Sequence, residues 1–329
     1  MKQLGYVFLF LTMVIILIPL IIVRGCSHNA APTKDKKEVE NIHSLKVYIA
    51  SEDKVVEMNM NEYLKGVVAA EMPASFHIEA LKAQAVAART YTYHKIKGVQ
   101  RTGVPLPEHK GADVCSNPGH CKAWMPKDKA MDKWGIISAK DYWNKISSAV
   151  DDTANIIVTY ESEPIDAVFH STSSGKTENS EDVWSSSIPY LRSVESAGDD
   201  LSPKFTSKVE ITMEEFKNKL KKVRPEIKLT NDQNLDIENT QHSQGGGIKT
   251  IRIGGCDFKG NEIRSIFALN SANFTVEVQE GKVVFIIKGN GHGVGMSQYG
   301  ANYLAQQGKS FEEILKHYYS NVNIDSVSP

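Results

Sequence analysis

Glu71 is the residue whose setting most invites chemistry. It closes an apolar-periodic stretch and is followed by Met72-Pro73. A carboxyl held there against apolar neighbours has its pKa raised by desolvation, and the partial negative charge at a helix C-terminus pushes the same way. A general acid requires such a shift. Lys82 and Arg89, seven positions apart, share one face of the next helical stretch, and Tyr93 continues it. Two cations and a phenol would then stand beside a carboxylate. The plainer alternative is a solvated face with intrahelical pairs such as Glu79 with Lys82.

Three other constellations could carry function. From Lys288 to Gly300 the chain reads KGNGHGVGMSQYG, with Gly289, Gly291, Gly293 and Gly295 at every second position. In an extended chain these glycines share one face, and Asn290, His292, Val294 and Met296 share the other. A strand bare on one side admits a backbone or a polymer closely. Ser297 can cap a following helix, and Gln298 lies just beyond it. The G-x-G-x-x-G spacing of a dinucleotide site is absent. Val168 to Gly175 (VFHSTSSG) reads as a strand entering a hydroxyl-rich turn, where His170 could position a sugar hydroxyl or polarise a catalytic group; a strand-end histidine is more often structural.

The last constellation lies between Glu108 and Cys121. His109, Cys115, His120 and Cys121 fall within thirteen residues, separated by tight-turn residues. Cys₂His₂ is a tetrahedral zinc set, although this spacing matches no standard finger. A Cys115–Cys121 disulfide is the alternative that an oxidising exterior favours, and it leaves both histidines unexplained; free thiols are the third. Four protein ligands leave no open position, so such a zinc would be structural and catalysis would need no metal. Cys256 reads as a buried single thiol.

The elements that must position these residues are mixed. Ser44 to Glu57 alternates as strand, and Asn61 to Glu71 has helical periodicity that Pro73 stops. A second helix is expected from Phe76 to Lys97, with Ser75 as N-cap and Gly98 just past its end. Its Ala-rich centre allows close packing. The chain then reads as irregular from Gly103 to Trp143, as strands from Thr153 to His170, and as strands again from Ile248 to Ile287. Residues 199–247 suggest an inserted subdomain with one charged helix at Met213 to Lys222. Ser297 to Tyr319 is helical. Strands scattered among helices without βαβ spacing predict an α+β fold, a single elongated catalytic domain over residues 44–329.

Leu4 to Val23 is twenty residues without a charge, about 30 Å as a helix. It predicts a transmembrane anchor over residues 1–24, followed by a polar linker at 25–43. Cleavage, or lipidation at Cys26, is the alternative. Each reading places the rest of the chain outside the cytoplasm, single-pass at the cell membrane. A net charge of −1 gives no reason to expect nucleic acid as a partner.

Glu71-Met-Pro73, Ala83-Gln-Ala-Val-Ala-Ala-Arg-Thr-Tyr91, Phe169-His-Ser-Thr-Ser-Ser-Gly175 and Gly291-His-Gly-Val-Gly-Met-Ser-Gln-Tyr-Gly-Ala301 together resemble the stage II sporulation protein D family, which includes enhancers of cell-wall amidases. They span most of residues 45–320 in the family's order. The resemblance implies a peptidoglycan lytic transglycosylase active during engulfment, preferring glycans stripped of stem peptides, with Glu71 at the catalytic position. It further implies partnership with the membrane-anchored amidase, stage II sporulation protein P, and with stage II sporulation protein M. Lys82 and Arg89 would hold anionic groups or tune Glu71, while His170, Ser173, His292 and Gln298 would support the sugar. The Cys/His segment is not part of that shared pattern.

Two rival functions are open. One is a non-catalytic amidase enhancer or peptidoglycan-binding module on the same fold. The other is a serine acyl hydrolase, although Gly295-Met-Ser297-Gln-Tyr-Gly300 is one residue too long for a G-x-S-x-G elbow.

Overall fold

The structure is a computed structural model that describes residues 39–102, 106–229 and 235–328. The expected anchor, Cys26 and most of the linker lie outside the described residues. No helix among the described residues is long and apolar enough to cross a membrane.

Strand Ser44–Ile49 buries Leu45, Val47 and Ile49 and turns Ser44 and Lys46 outward, as its alternation requires. It forms an antiparallel hairpin with Lys54–Asn59 and a short parallel pairing with Val114–Cys115. The expected strand to Glu57 is thus a hairpin. Asn59 then caps helix α1 (Met60–Glu71), its side chain accepting from Asn61 N–H at 2.8 Å. Pro73 lies just beyond the last turn, as expected.

Helix α2 (Ile78–Thr102) forms the spine. Ala80, Ala83, Ala85, Ala87 and Ala88 are all buried, which lets α1, helix α3 (Lys127–Asp151) and the C-terminal helices pack closely around it. The start differs from expectation. His77, not Ser75, serves the first turn, its Nδ1 accepting from Glu79 N–H at 3.3 Å. Gly98 does not end the helix, which runs through it.

The irregular stretch expected to reach Trp143 is shorter. Residues 106–126 are loop-like, and α3 starts at Lys127, broken at Gly135 (φ 72°, ψ 166°). That break scrambles the apolar period, which is why the helix did not read as one. The Thr153 to His170 region holds strands Ile156–Tyr160, Glu163–Pro164 and Phe169–His170. The expected C-terminal helix is two, Gln298–Gln306 and Phe311–Tyr318, with Ser310 making a capping box at the second start.

A second hydrophobic core joins Met213, Phe216 and Leu220 of the helix Met213–Val223 to Ile251, Phe258, Phe267, Phe285 and Ile287. The segment expected to end at residue 247 therefore continues to Lys288. It contains two three-stranded antiparallel sheets and an unanticipated helix, Gly260–Phe267. Phe216 stacks on Phe267 at 5.2 Å with rings nearly parallel. Cys256 is only half-buried at the edge of this core, because it opens an edge strand. The α+β class stands, with helices and separate small sheets intermixed.

Candidate active site

Glu71 is positioned by a strap rather than by its own helix alone. Gly66 lies on α1 under residues 124–125: a Cβ there would come within 2.2 Å of the Trp124 indole nitrogen and 2.7 Å of the Met125 carbonyl oxygen. The missing side chain lets the strap lie flat on the helix, and Met125 N–H donates to Gly66 O at 3.3 Å. One residue further back along the strap, Ala123 N–H donates to Glu71 Oε1 at 2.7 Å. No other hydrogen bond holds Glu71 among the described residues. Burial raises the Glu71 carboxyl above the usual range, against the Ala123 N–H and the Lys122 ammonium, which favour the charged form.

Lys122 is the residue that sequence reasoning missed. It is 8% exposed. Its ammonium sits 4.1 Å from the centre of the Tyr91 ring and 3.8 Å from that of Phe169, a cation between two aromatic faces. Burial pushes its pKa down to about 8, against attraction from Glu71 and Asp166. The one sequence signal was adjacency to Cys121, and that points to a role only once the strap is seen on α1.

The four Cys/His side chains converge. The ligand atoms of His109, Cys115, His120 and Cys121 all lie within 4.8 Å of one another. His109 Nε2 is 3.1 Å from both His120 Nδ1 and Cys121 Sγ, and His120 Nδ1 is 3.6 Å from each sulfur. A tetrahedral zinc with bonds of about 2.0–2.3 Å sets its ligand atoms roughly 3.3–3.8 Å apart, so the two thiols and two imidazoles suit that ion in kind and their close pairs lie near that spacing. All the described cysteines are free thiols. Because Cys121 precedes Lys122 and Ala123 directly, whatever holds this cluster also holds the two groups that face Glu71.

The cations expected beside Glu71 are elsewhere. Arg89 is buried, and its guanidinium donates to the carbonyls of Thr153 (2.6 Å), Val150 (3.2 Å) and Ile156 (3.3 Å) and reaches Asn61 Oδ1 at 3.4 Å. It closes the C-terminal end of α3, where carbonyls point outward and favour a cation. Asn61 and Glu71 are ten residues apart on α1, about 15 Å. Lys82 pairs with Glu79 at 3.3 Å and Asp152 at 3.5 Å, the plainer alternative named above. Tyr93 is buried, its hydroxyl accepting from Ile42 N–H at 2.8 Å. A shared helical face did not mean a shared site.

The glycine segment is not an extended strand. Gly289, Gly291, Gly293 and Gly295 all have positive φ, between 72° and 123°. The close approach is nonetheless present: a Cβ on Gly295 would lie 2.2 Å from Val168 O, and one on Gly291 would lie 2.6 Å from His170 Cβ. The segment thus wraps the strand end that carries His170. The two histidines come together, rings 5.5 Å apart, with their tautomers set by the backbone. His170 Nδ1–H donates to Val294 O (3.2 Å), leaving Nε2 buried without a partner, and burial pushes its pKa down to about 4. His292 Nε2–H donates to Phe169 O (3.0 Å) while Nδ1 accepts from Val294 N–H (3.1 Å). The same Phe169 lies under Lys122, which ties this pair to the Glu71 side.

Ser173 is buried and donates to Asp199 Oδ2 at 2.5 Å. Ser297 is wholly buried, donates to Asp199 Oδ1 and caps Gly300 N–H at 3.3 Å. A hydroxyl so placed cannot reach a substrate, which removes the serine acyl hydrolase reading. Gln298 is buried against Gln84 between two helices (3.3 Å).

Comparison with known proteins places these features in context. A family model described as Stage II sporulation protein matches residues 48–160, the span that holds Glu71, Lys122 and the Cys/His set. Stage II sporulation protein D of Bacillus amyloliquefaciens is 40% identical over 295 residues, covering 90% of this chain and 81% of its own. Stage II sporulation protein D of Bacillus subtilis (strain 168) is 37% identical over 341 residues, covering 98% and 96%. The amidase enhancer of Bacillus subtilis (strain 168) is 28% identical over 315 residues, covering 80% of this chain and 40% of its own.

Proposed function

Because the chain belongs to the stage II sporulation protein D family, we propose that it is a peptidoglycan lytic transglycosylase of spore formation, with Glu71 as both acid and base. The observation that carries this reading is the setting of Glu71: a carboxyl raised by burial, one oxygen pinned by Ala123 N–H, the other free, and a buried ammonium alongside. Glycosidases that hydrolyse use two carboxyl groups. A transglycosylase needs one. Protonated Glu71 gives its proton to the glycosidic oxygen between N-acetylmuramic acid and N-acetylglucosamine as the C1–O bond breaks. The carboxylate so formed is stabilised by Lys122. It then takes the proton of the muramyl 6-hydroxyl as that oxygen bonds to C1, closing the 1,6-anhydro ring. Glu71 ends protonated, and no water is consumed.

In this reading a structural zinc on His109, Cys115, His120 and Cys121 fixes the strap that aims Ala123 and Lys122 at Glu71. The domain works outside the cytoplasm behind its N-terminal anchor, on glycans already stripped of stem peptides. Stage II sporulation proteins P and M are the expected partners. The named function of the amidase enhancer relative supports a second reading, a binding module without turnover.

Mass spectrometry of soluble products from purified glycan strands, with and without stem peptides, separates the two. The wild type should yield chains ending in 1,6-anhydromuramic acid. E71Q should lose about 10²-fold or more of that activity while keeping its fold, the usual scale for removing a general acid. Reducing ends in place of anhydro ends would mean hydrolysis. No products from the wild type would favour the binding module.

A further inference from the structure

Helix α3 carries two side chains that the fold turns fully away from itself. Ile136 is 101% exposed and Ile137 94%, whereas Leu201, the next most exposed large apolar side chain among the described residues, stands at 63%. The cause is local. Gly135 breaks the helix at φ 72°, ψ 166°, a conformation that glycine adopts without strain. Nothing lies within 4 Å of where its Cβ would be, so packing does not call for a glycine there. In an unbroken helix Ile137, seven residues after Ala130 and three after Trp134, would fall on their inward face. The break passes that face to Ala139 and Trp143, which are buried, and ejects both isoleucines. Leaving an adjacent pair of large apolar side chains in water runs against the main driving force of folding, and such a tip marks a contact surface.

The surroundings of the tip point to the kind of contact. Trp134 and Tyr142, half-buried behind it, pack edge to face at 5.8 Å. Lys133 and Lys140 flank the isoleucines in sequence and are exposed, as is Lys129 one turn back. No ion pair engages any of the three among the described residues. From 127 to 145 five lysines stand against three aspartates, an excess of positive charge in a chain of net charge −1. Asp132 and Asp141 are the nearest acids in sequence; their short side chains hold the carboxylates close to the backbone, while the lysine stems extend past them. Apolar tip, aromatic pair and cations match the layers of a bilayer surface: hydrocarbon, interface and anionic headgroups.

Shape favours the same occupant. A protein partner needs a matching pocket and about 800 Å² of contact on each side, whereas a bilayer takes a convex apolar tip of any shape. The chain also brings the domain within reach of one. Leu4 to Val23 is an uncharged run long enough to span a bilayer, and residues 24–38 separate it from Val39, at most about 50 Å when fully extended.

We propose that the Ile136–Ile137 tip inserts into the surface of an anionic bilayer, giving the domain a second membrane contact beside its anchor. The choice of a bilayer rests on the anchor reading above; the contact does not depend on turnover at Glu71.

The test uses the full chain reconstituted into vesicles of phosphatidylglycerol and phosphatidylethanolamine, with a photoactivatable diazirine in the acyl chain of a tracer lipid. Mass spectrometry after irradiation reads lipid adducts peptide by peptide. The peptide bearing Ile136 and Ile137 should carry about tenfold more than other surface peptides of the domain. The double variant Ile136→Ser, Ile137→Ser should lose this labelling at unchanged melting temperature, because both side chains stand clear of the fold. Lys133→Gln with Lys140→Gln should lower it severalfold, and so should phosphatidylcholine in place of the anionic lipid. No adducts at the tip, or equal adducts in the double variant, would overturn the proposal. A tip without adducts, in a wild type that sediments as a dimer where the double variant does not, would assign it to a second copy instead. Adducts on residues 4–23 read the anchor separately. Adducts there and none at the tip keep the anchor and discard the tip, and adducts at the tip alone do the reverse.

Discussion

Two segments of this protein bring histidines together and use them in opposite ways. In the loop before α3, His109 and His120 turn ring nitrogens toward each other and toward two thiols, in four contacts of 3.1–3.6 Å. Around the glycine segment, His170 and His292 commit three ring nitrogens to main-chain groups. The first arrangement gathers four groups that could hold a metal ion. The second is a splice that fastens the glycine segment to the strand end. The difference teaches that a histidine's role follows from what its nitrogens are left to do, and type or spacing alone does not fix it.

The comparison can be broken most forcefully at Cys121. Cys121→Ser should release about one equivalent of zinc, lower the melting temperature sharply and reduce glycan cleavage at least tenfold, as the strap bearing Lys122 and Ala123 loosens. Structural zinc contributes about 10–16 kcal/mol of apparent binding energy in small peptides, so losing a fraction of that would be visible. Metal analysis alongside thermal melts checks it; a variant with unchanged melting and cleavage would show that no metal holds the strap.

His292→Ala should have a smaller and different effect. It strips Val294 N–H of an acceptor and Phe169 O of a donor. Each group left unpaired costs about 1–3 kcal/mol. A melting point lower by several degrees with metal content unchanged is expected. Loss of metal from this variant would mean that the two histidine pairs are coupled, and the contrast between them would fail.

How much of this was legible in the sequence depends on range. The helix ending at Glu71 could be read because its apolar period and Pro73 stop agree locally. The Cys/His set could be read because its members are close in the chain. Lys122 could not, since its meaning comes from Gly66 half a chain-fold away and from Phe169 beyond α3. Arg89 was misplaced for the same reason. A helical stripe tells which residues share a face, yet α2 is buried all round there, and the carbonyls that claim Arg89 belong to α3 and the strand after it. The alternating glycines signalled close approach correctly, and the wrong conformation was inferred because period two also describes a strand. Left-handed turns at all four are what glycine permits at no steric cost.

The smallest expected effect is also the sharpest probe of the Glu71 side. Lys122 favours the charged form of Glu71, so removing its ammonium by Lys122→Met raises the Glu71 pKa further. In the proposed mechanism catalysis begins from the protonated acid, so it should be lost as pH rises through that pKa. The alkaline limb of the pH–rate profile should therefore move to higher pH in the variant. At low pH, where the acid is protonated in both proteins, rates should agree within about tenfold. Methionine fills much of the space between the Tyr91 and Phe169 rings, which limits the loss of packing. A limb that moves to lower pH, or does not move, would mean that Lys122 serves the strap by packing alone. His292→Ala supplies the control: His292 is not among the groups that shift Glu71, so its limb should stay with the wild type.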